Sequence, residues 1–206
     1  YVHDVDRTGI SNKSTWMDRT LNENDNWVPS INWIVRNNTV ERSGGNGMII
    51  RVNDKALVEN NLFKYCSIKW TGNAFFPFNC DDIIVQFNES CYTKYNEGDA
   101  DAGGLDSDYR CKRSVFQYNY SHHNERGGIL ICCKGGVTRF NDGTIVRYNI
   151  FQDNEQHVFR VSGVPTNTYI YNNLIYTGEG NNNNDIIWHK SWSGYPDRTF
   201  YYNNIF

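Results

Sequence analysis

No run in the chain approaches the roughly 18 apolar residues of a membrane-spanning helix, and no short apolar stretch follows a basic start, so the sequence offers neither a membrane anchor nor a recognisable leader. Its first residue is Tyr1 rather than a methionine, which leaves room for an address removed by processing or truncation. There is no basic stripe: with a net charge of −3 and Lys and Arg scattered, nucleic acid is not an expected partner. The six cysteines, at 66, 80, 91, 111, 132 and 133, show no paired C-x-x-C spacing, which argues against a zinc site, and the chain is too large to need a disulfide framework. No segment of about 11 residues or more has a clean helical period.

What the chain does have is a folding composition, 39% hydrophobic and 15% aromatic, in 206 residues, enough to bury a core in a single domain. It also has 29 asparagines, a bias that asks for a structural cause. The segments "IVRNNTV", "LVENNLF", "IVQFNES", "VFQYNYS", "IVRYNIF", "YIYNNLI" and "FYYNNIF" superpose without gaps on Asn38, Asn61, Asn88, Asn119, Asn149, Asn173 and Asn204, at intervals of 23, 27, 31, 30, 24 and 31 residues. Unequal periods suit coils whose strands are fixed in length while their turns vary. The alternation before each asparagine has period two, and each unit carries a further strand candidate, such as "GMIIRV", "GLDSDY", "GILICC" or "HVFRV".

Two or three strands per coil with one asparagine at a fixed corner is the pattern of an all-β, right-handed parallel β-helix of about seven coils. Side-chain amides one coil apart can hydrogen-bond as a stacked ladder, and asparagine also tolerates the left-handed conformation of a sharp corner. The asparagines are therefore expected to be scaffold. Residues 11–32, with Trp16 and Trp27, read as a loop projecting from the first complete turn. Because "YVHDVD" matches "YSHHNE" at 120–125 and "NNIF" ends the chain just after a corner, residues 1–206 read as one β-helix domain from a longer protein with flanking domains.

The "N-x-[LIFV]" corners resemble those of the pectin lyase-like superfamily of right-handed parallel β-helices over essentially the whole chain. The stretches "DADAGGLDSDYRCKRSVFQYNYSHHNERGGILIC" and "NDGTIVRYNIFQDN" resemble secreted bacterial β-helix repeat proteins. The resemblance implies the fold, a polysaccharide or oligosaccharide partner, and a secreted or cell-surface location. It does not choose between hydrolases, lyases, epimerases and non-catalytic adhesins, all of which use this fold.

The chemistry is concentrated in "GDADAGGLDSDY". Strand alternation turns Leu105, Ser107 and Tyr109 one way and Asp106 and Asp108 the other, onto the outer face, with Cα atoms roughly 6.6 Å apart. Two such carboxylates suit either glycosidase geometry, and they push one another's pKa values apart, which lets an acid and a base coexist at neutral pH. The following coils bring "ILICC" and "VFRVS" alongside, which places Arg160 about two coils on. The expected hydrolase site is Asp106 or Asp108 sharing acid and base roles with Glu125, with Arg160, His122, His189, Trp188 and Trp192 as substrate contacts and Tyr195 beside the tryptophans. A solvent-facing ladder of Asp106 and Asp108, a corner ladder of His122 and His123, and a surface pair of Glu125 with Arg126 are the plain alternatives.

A calcium site is the other chemical reading, built on Asp99 and Asp101 with Asp106 and Asp108. The EF-hand pattern fails, with Gly103 at the fifth position and Arg110 where a glutamate belongs. By resemblance to β-helix lyases, calcium with Lys94, Arg110, Lys112 or Arg160 would then abstract a proton beside a uronate carboxyl. Cys80 and Cys111 sit at matching positions of adjacent coils and should stack, as thiols or as a disulfide.

Overall fold

The computed structural model describes residues 1–12, 14, 19–22, 27–179 and 185–206; Trp16 lies outside the described residues. Among them the regular structure is β-strand alone, wound into a right-handed parallel β-helix. Each coil lays one strand on each of three faces. The first face runs from Val2–Val5 through Thr39–Ser43, Leu62–Lys64, Glu89–Cys91, Tyr120–His122 and Ile150–Gln152 to Leu174–Tyr176. The second runs from Ile10–Ser11 through Met48–Arg51, Phe75–Phe78, Leu105–Ser107, Ile129–Cys133 and His157–Gly163 to Asp185–Lys190. The third begins at Ile34–Arg36 and includes Val115–Gln117 and Thr166–Tyr171.

Between the third and first faces stand the seven aligned asparagines. From Asn38 to Asn204, each Nδ2 donates to the Oδ1 of the asparagine one coil on, at 2.9–3.0 Å. That Oδ1 also accepts the backbone N–H of the preceding asparagine. The second amide proton reaches back to a carbonyl of the coil before, Val35 for Asn61 and Val85 for Asn119. Inside the stack the amide is thus saturated at both ends, as a buried polar group must be.

The left-handed corner is not at these asparagines but one residue earlier. Asn37, Asn60, Phe87, Tyr118, Tyr148, Asn172 and Asn203 all have φ between 52° and 59°. The ladder asparagine keeps ordinary backbone because its N–H must aim at the next amide. Aromatic residues tolerate the left-handed corner at a cost of about 1–2 kcal/mol each. Phe87, Tyr118 and Tyr148 offset part of it by stacking on the outer surface, with ring centroids 5.3 Å apart at each step.

The core consists of inward columns. On the third face Val58, Val85, Phe116, Val146 and Ile170 follow one another in register and are fully buried. On the second, Met48, Phe75, Leu105, Ile129 and Phe159 do the same. Cys80 and Cys111 stack at a core corner as buried free thiols, with burial pushing the Cys80 thiol up to about 12. The early insertion does not simply project. The buried Arg19 guanidinium pairs with Asp81 at 2.7 Å, donates to the Arg110 carbonyl and lies 3.9 Å over the Trp27 ring. The described part of the loop is therefore strapped along the stack, since a buried guanidinium is stable only beside its carboxylate.

Replacing Asn119 with Ala strips acceptors from the Asn88 backbone and side chain and a donor from the Val85 carbonyl. The expected loss is about 3 kcal/mol or more in urea unfolding, against about 1 kcal/mol for Asn38→Ala at the less buried end of the ladder. Equal losses would show that the amides do not act as a column.

Candidate active site

On the second face the outward residues form two columns. Phe76, Asp106, Leu130 and Arg160 follow one another in the first, with Leu130 the register partner of both Asp106 and Arg160. Asp108 opens the second beside Cys132, whose sulfur lies 3.5 Å from Asp108 Oδ1, and Ser162 and Lys190 continue it. All eight residues line one cavity of about 420 Å³, walled by Asn73 and Asp101 and by Tyr109 and Trp192. The coils thus supply the floor, and the turns supply the walls.

Local backbone sets the position of the acidic strand. Gly104 precedes it, and a Cβ there would meet Ser121 Oγ at 2.4 Å and Ser90 Oγ at 2.7 Å, so only glycine lets the chain enter this deeply. Ala102 is buried with a φ of 81°, a strained conformation for a residue with a Cβ, at the turn that carries Asp101. That turn is held by the Ala102 N–H on the Gly72 carbonyl and the Gly103 N–H on Asn73 Oδ1, each through one hydrogen bond.

The charges are arranged as a close acidic group with Arg160 and Lys190 in the same cavity lining. A carboxylate oxygen from each of Asp106 and Asp108 and the Cys132 sulfur all lie within 4.8 Å of one another. Burial raises both carboxyl pKa values, and for Asp106 the neighbouring Asp108 and Asp101 charges raise it further. Asp106 Oδ2 accepts from Asn73 Nδ2 at 2.9 Å. Asp108 Oδ1 accepts from the Tyr109 backbone N–H at 2.7 Å, and this bond and the Cys132 thiol favour its ionised form. Asp101 is also raised, chiefly by burial. Arg160 is buried and held below the ordinary guanidinium range by burial and by Arg126, while Asp101 and Asp106 partly compensate.

The structure brings together Asp101, Asp106, Asp108, Arg160 and Trp192 from the residues singled out in the sequence. The others lie elsewhere. Glu125 does not line the cavity but pairs with Lys94 Nζ at 2.5 Å and accepts the Tyr95 backbone N–H. His122 belongs to the first face, where it contacts Glu89 and His123. Trp188 follows Arg160 in its column but stacks on His157 at 4.1 Å, and His189 bonds to Tyr201 Oη at 2.9 Å. Asp99 is off the cavity lining, with its main-chain carbonyl held by Arg126. The sequence reading missed Asn73, Cys132, Ser162 and Lys190, although the last three follow from continuing the Asp108 column through the next coils.

Calcium would use several hard oxygen ligands. Here the carboxylates of the cavity are joined by a thiol and share that space with the Arg160 guanidinium, and Asp99 does not line it, so the donor set does not fit a calcium ion.

A parallel β-helix with a close carboxylate pair in an outward cavity is the class of protein that this fold and geometry define. No family model matches the chain. A curated relative, the lacto-N-biosidase of Bifidobacterium longum subsp. longum, is 28% identical in an alignment 201 positions long that covers 85% of this chain and 12% of that protein. Crystal structures of the GH136 lacto-N-biosidase from Eubacterium ramulus, native and selenomethionine derivative, match with TM-scores of 0.58 at 21% and 20% identity. Each match covers 81% of this chain and 28% of that one, and it supports the fold alone. The chain therefore spans only a small part of the length of the proteins it matches.

The raised carboxyls set the direction of a stability profile. With their pKa values higher in the folded chain than in the unfolded one, the folded state binds more protons between the ordinary aspartate range and the raised values. Stability therefore falls as pH rises through that window. Asp106→Asn removes this penalty, so its Tm is expected to exceed that of the parent at pH 8 by several degrees and to converge with it near pH 4. Calorimetry at the two pH values reads the difference, and a variant less stable than the parent at both would show that Asp106 is ionised and well paired.

Proposed function

We propose that this chain carries the catalytic face of a glycoside hydrolase that cleaves an oligosaccharide, with Asp106 and Asp108 as its paired carboxylates. The observation that carries the reading is the carboxylate pair itself, with oxygens within 4.8 Å, Asp106 buried and Asp108 partly buried, both lining a cavity. That spacing suits the retaining geometry, in which the carboxyl groups stand about 5–5.5 Å apart and leave no room for an intervening water. The similarity to a protein named lacto-N-biosidase supports a saccharide substrate. A secreted or surface location follows from the same reading.

The roles follow from the environments. Asp106 is the more deeply buried and feels both neighbouring carboxylates, so it holds the proton that the pair shares. It donates that proton to the glycosidic oxygen as the bond to the leaving sugar breaks. Asp108, whose ionised form the Tyr109 N–H and the Cys132 thiol favour against the effect of burial, attacks the anomeric carbon and forms a glycosyl ester. Asp106, now ionised, takes a proton from the water that hydrolyses the ester. Arg160 steadies the negative charge of the acidic group, and Trp192 offers an aromatic face to a sugar ring at the cavity edge. Glu125 has no part in this scheme.

The test uses the full-length protein on a panel of oligosaccharides, reading released reducing ends. Asp106→Asn and Asp108→Asn are each expected to lower kcat by about 10²–10⁴-fold while far-UV circular dichroism is unchanged. In Asp108→Gly, added azide should restore turnover and give a glycosyl azide of inverted configuration. Turnover unaffected by either Asn substitution would overturn the assignment, and saccharide binding without turnover in the parent would make the cavity a recognition site.

A further inference from the structure

The first face carries a second cluster of ligating side chains that the proposed hydrolase does not use. Glu89 and Cys91 alternate outward from one strand, and His122 is the register partner of Cys91 on the next. Cys91 and His122 are buried, at 1% and 7% exposure, while the Glu89 side chain is half exposed. One ligand atom from each residue lies within 4.8 Å of the other two.

We propose that Glu89, Cys91 and His122 form a zinc-binding site joining two coils. A tetrahedral zinc ion bound at about 2.3 Å to sulfur and about 2.0 Å to oxygen and nitrogen sets its ligand edges at about 3.5 Å for S···O and about 3.3 Å for N···O. The corresponding distances are 3.8 Å from Cys91 Sγ to Glu89 Oε1 and 3.2 Å from His122 Nε2 to the same oxygen. Both edges at Glu89 Oε1 thus stand close to zinc spacing, and the sulfur-to-imidazole edge lies within 4.8 Å. A thiolate with an imidazole and one carboxylate is a set that selects zinc over calcium or magnesium. Three protein ligands leave a fourth position for water on the exposed Glu89 side.

The surroundings orient the histidine. His122 Nδ1 is 2.8 Å from His123 Nδ1, so with zinc on Nε2 the Nδ1–H donates to His123. His123 in turn points Nε2 toward Asp153, 3.8 Å away. The His122 ring is fixed between Tyr120, stacked at 4.2 Å, and Tyr92, edge-on at 5.6 Å. Lys64, the register partner of Cys91 on the other side, is the competing cation, but its ammonium lies over the Tyr65 ring, 5.1 Å from the centroid. Binding displaces the Cys91 thiol proton to solvent, so affinity rises with pH. The lack of C-x-x-C spacing hid this site, because stacking brings in His122 from about 30 residues beyond Glu89 and Cys91.

The test titrates the reduced full chain with Co²⁺ under nitrogen and follows the near-ultraviolet thiolate-to-cobalt absorption. One equivalent is expected to produce the band, Zn²⁺ to abolish it, and excess Zn²⁺ to raise Tm. Cys91→Ser should remove the band, whereas Cys132→Ser should leave it intact. Because Glu89 is half exposed, Glu89→Gln preserves the fold and should weaken Co²⁺ binding about tenfold or more. The absence of a band at excess Co²⁺, a band that survives Cys91→Ser, or Co²⁺ affinity unchanged in Glu89→Gln would overturn the proposal. None of these outcomes depends on Asp106 or Asp108 being catalytic.

Discussion

Every other feature of this molecule depends on the registration of one coil on the next, and the amide column from Asn38 to Asn204 fixes that registration. Hydrophobic burial would tolerate a coil slipped along its neighbour, because the inward columns are mostly apolar and apolar contact is not directional. An amide whose oxygen takes two donors and whose nitrogen serves two acceptors would not, since a slip leaves four polar groups buried and unpaired. The ladder therefore specifies position where the core supplies driving force. Left-handed corners at Phe87, Tyr118 and Tyr148 are the local cost of aiming each asparagine N–H along the stack.

Register converts sequence into a site. Asp106 and Arg160 are far apart in the chain, yet Leu130 is the neighbour of both. Likewise Asp108 meets Cys132, and Cys91 meets His122, only because coils are stacked in phase. A solenoid can place unlike groups side by side on rigid strands, which gives a more fixed geometry than loops do. The inward partners of the acidic strand, Leu105 and Ser107, are fully buried, so the carboxylates between and beside them have little freedom to move away from each other.

The fold was legible because the amide column leaves a gapless repeat in the sequence, and period-two alternation then assigns inside and outside. The same two signals brought Asp106, Asp108 and Arg160 to the outer face of neighbouring coils. What could not be read was which face a turn residue joins: the chain between Cys91 and Leu105 winds through an irregular segment whose length carries no phase. Asp101 was accordingly grouped with Asp99, although only Asp101 reaches the cavity, and Glu125 was grouped with the aspartates, although Lys94 holds it apart. The left-handed corner was assigned to the ladder asparagine from its propensity, whereas the hydrogen-bond direction required it one position earlier. Cys132 was missed because stacking across coils was followed for Cys80 and Cys111 and not along the Asp108 column.

The central claim is that Asp106 and Asp108 share a proton near neutral pH in a site built by coil register. Carbon-13 NMR of protein labelled at aspartate carboxyl carbons, assigned with Asp106→Asn and Asp108→Asn, titrates the pair directly. The account predicts that the two carboxyls titrate in coupled steps above the ordinary aspartate range, with Asp106 the last to lose its proton. Both carboxyls titrating independently in the range of exposed aspartates would contradict it.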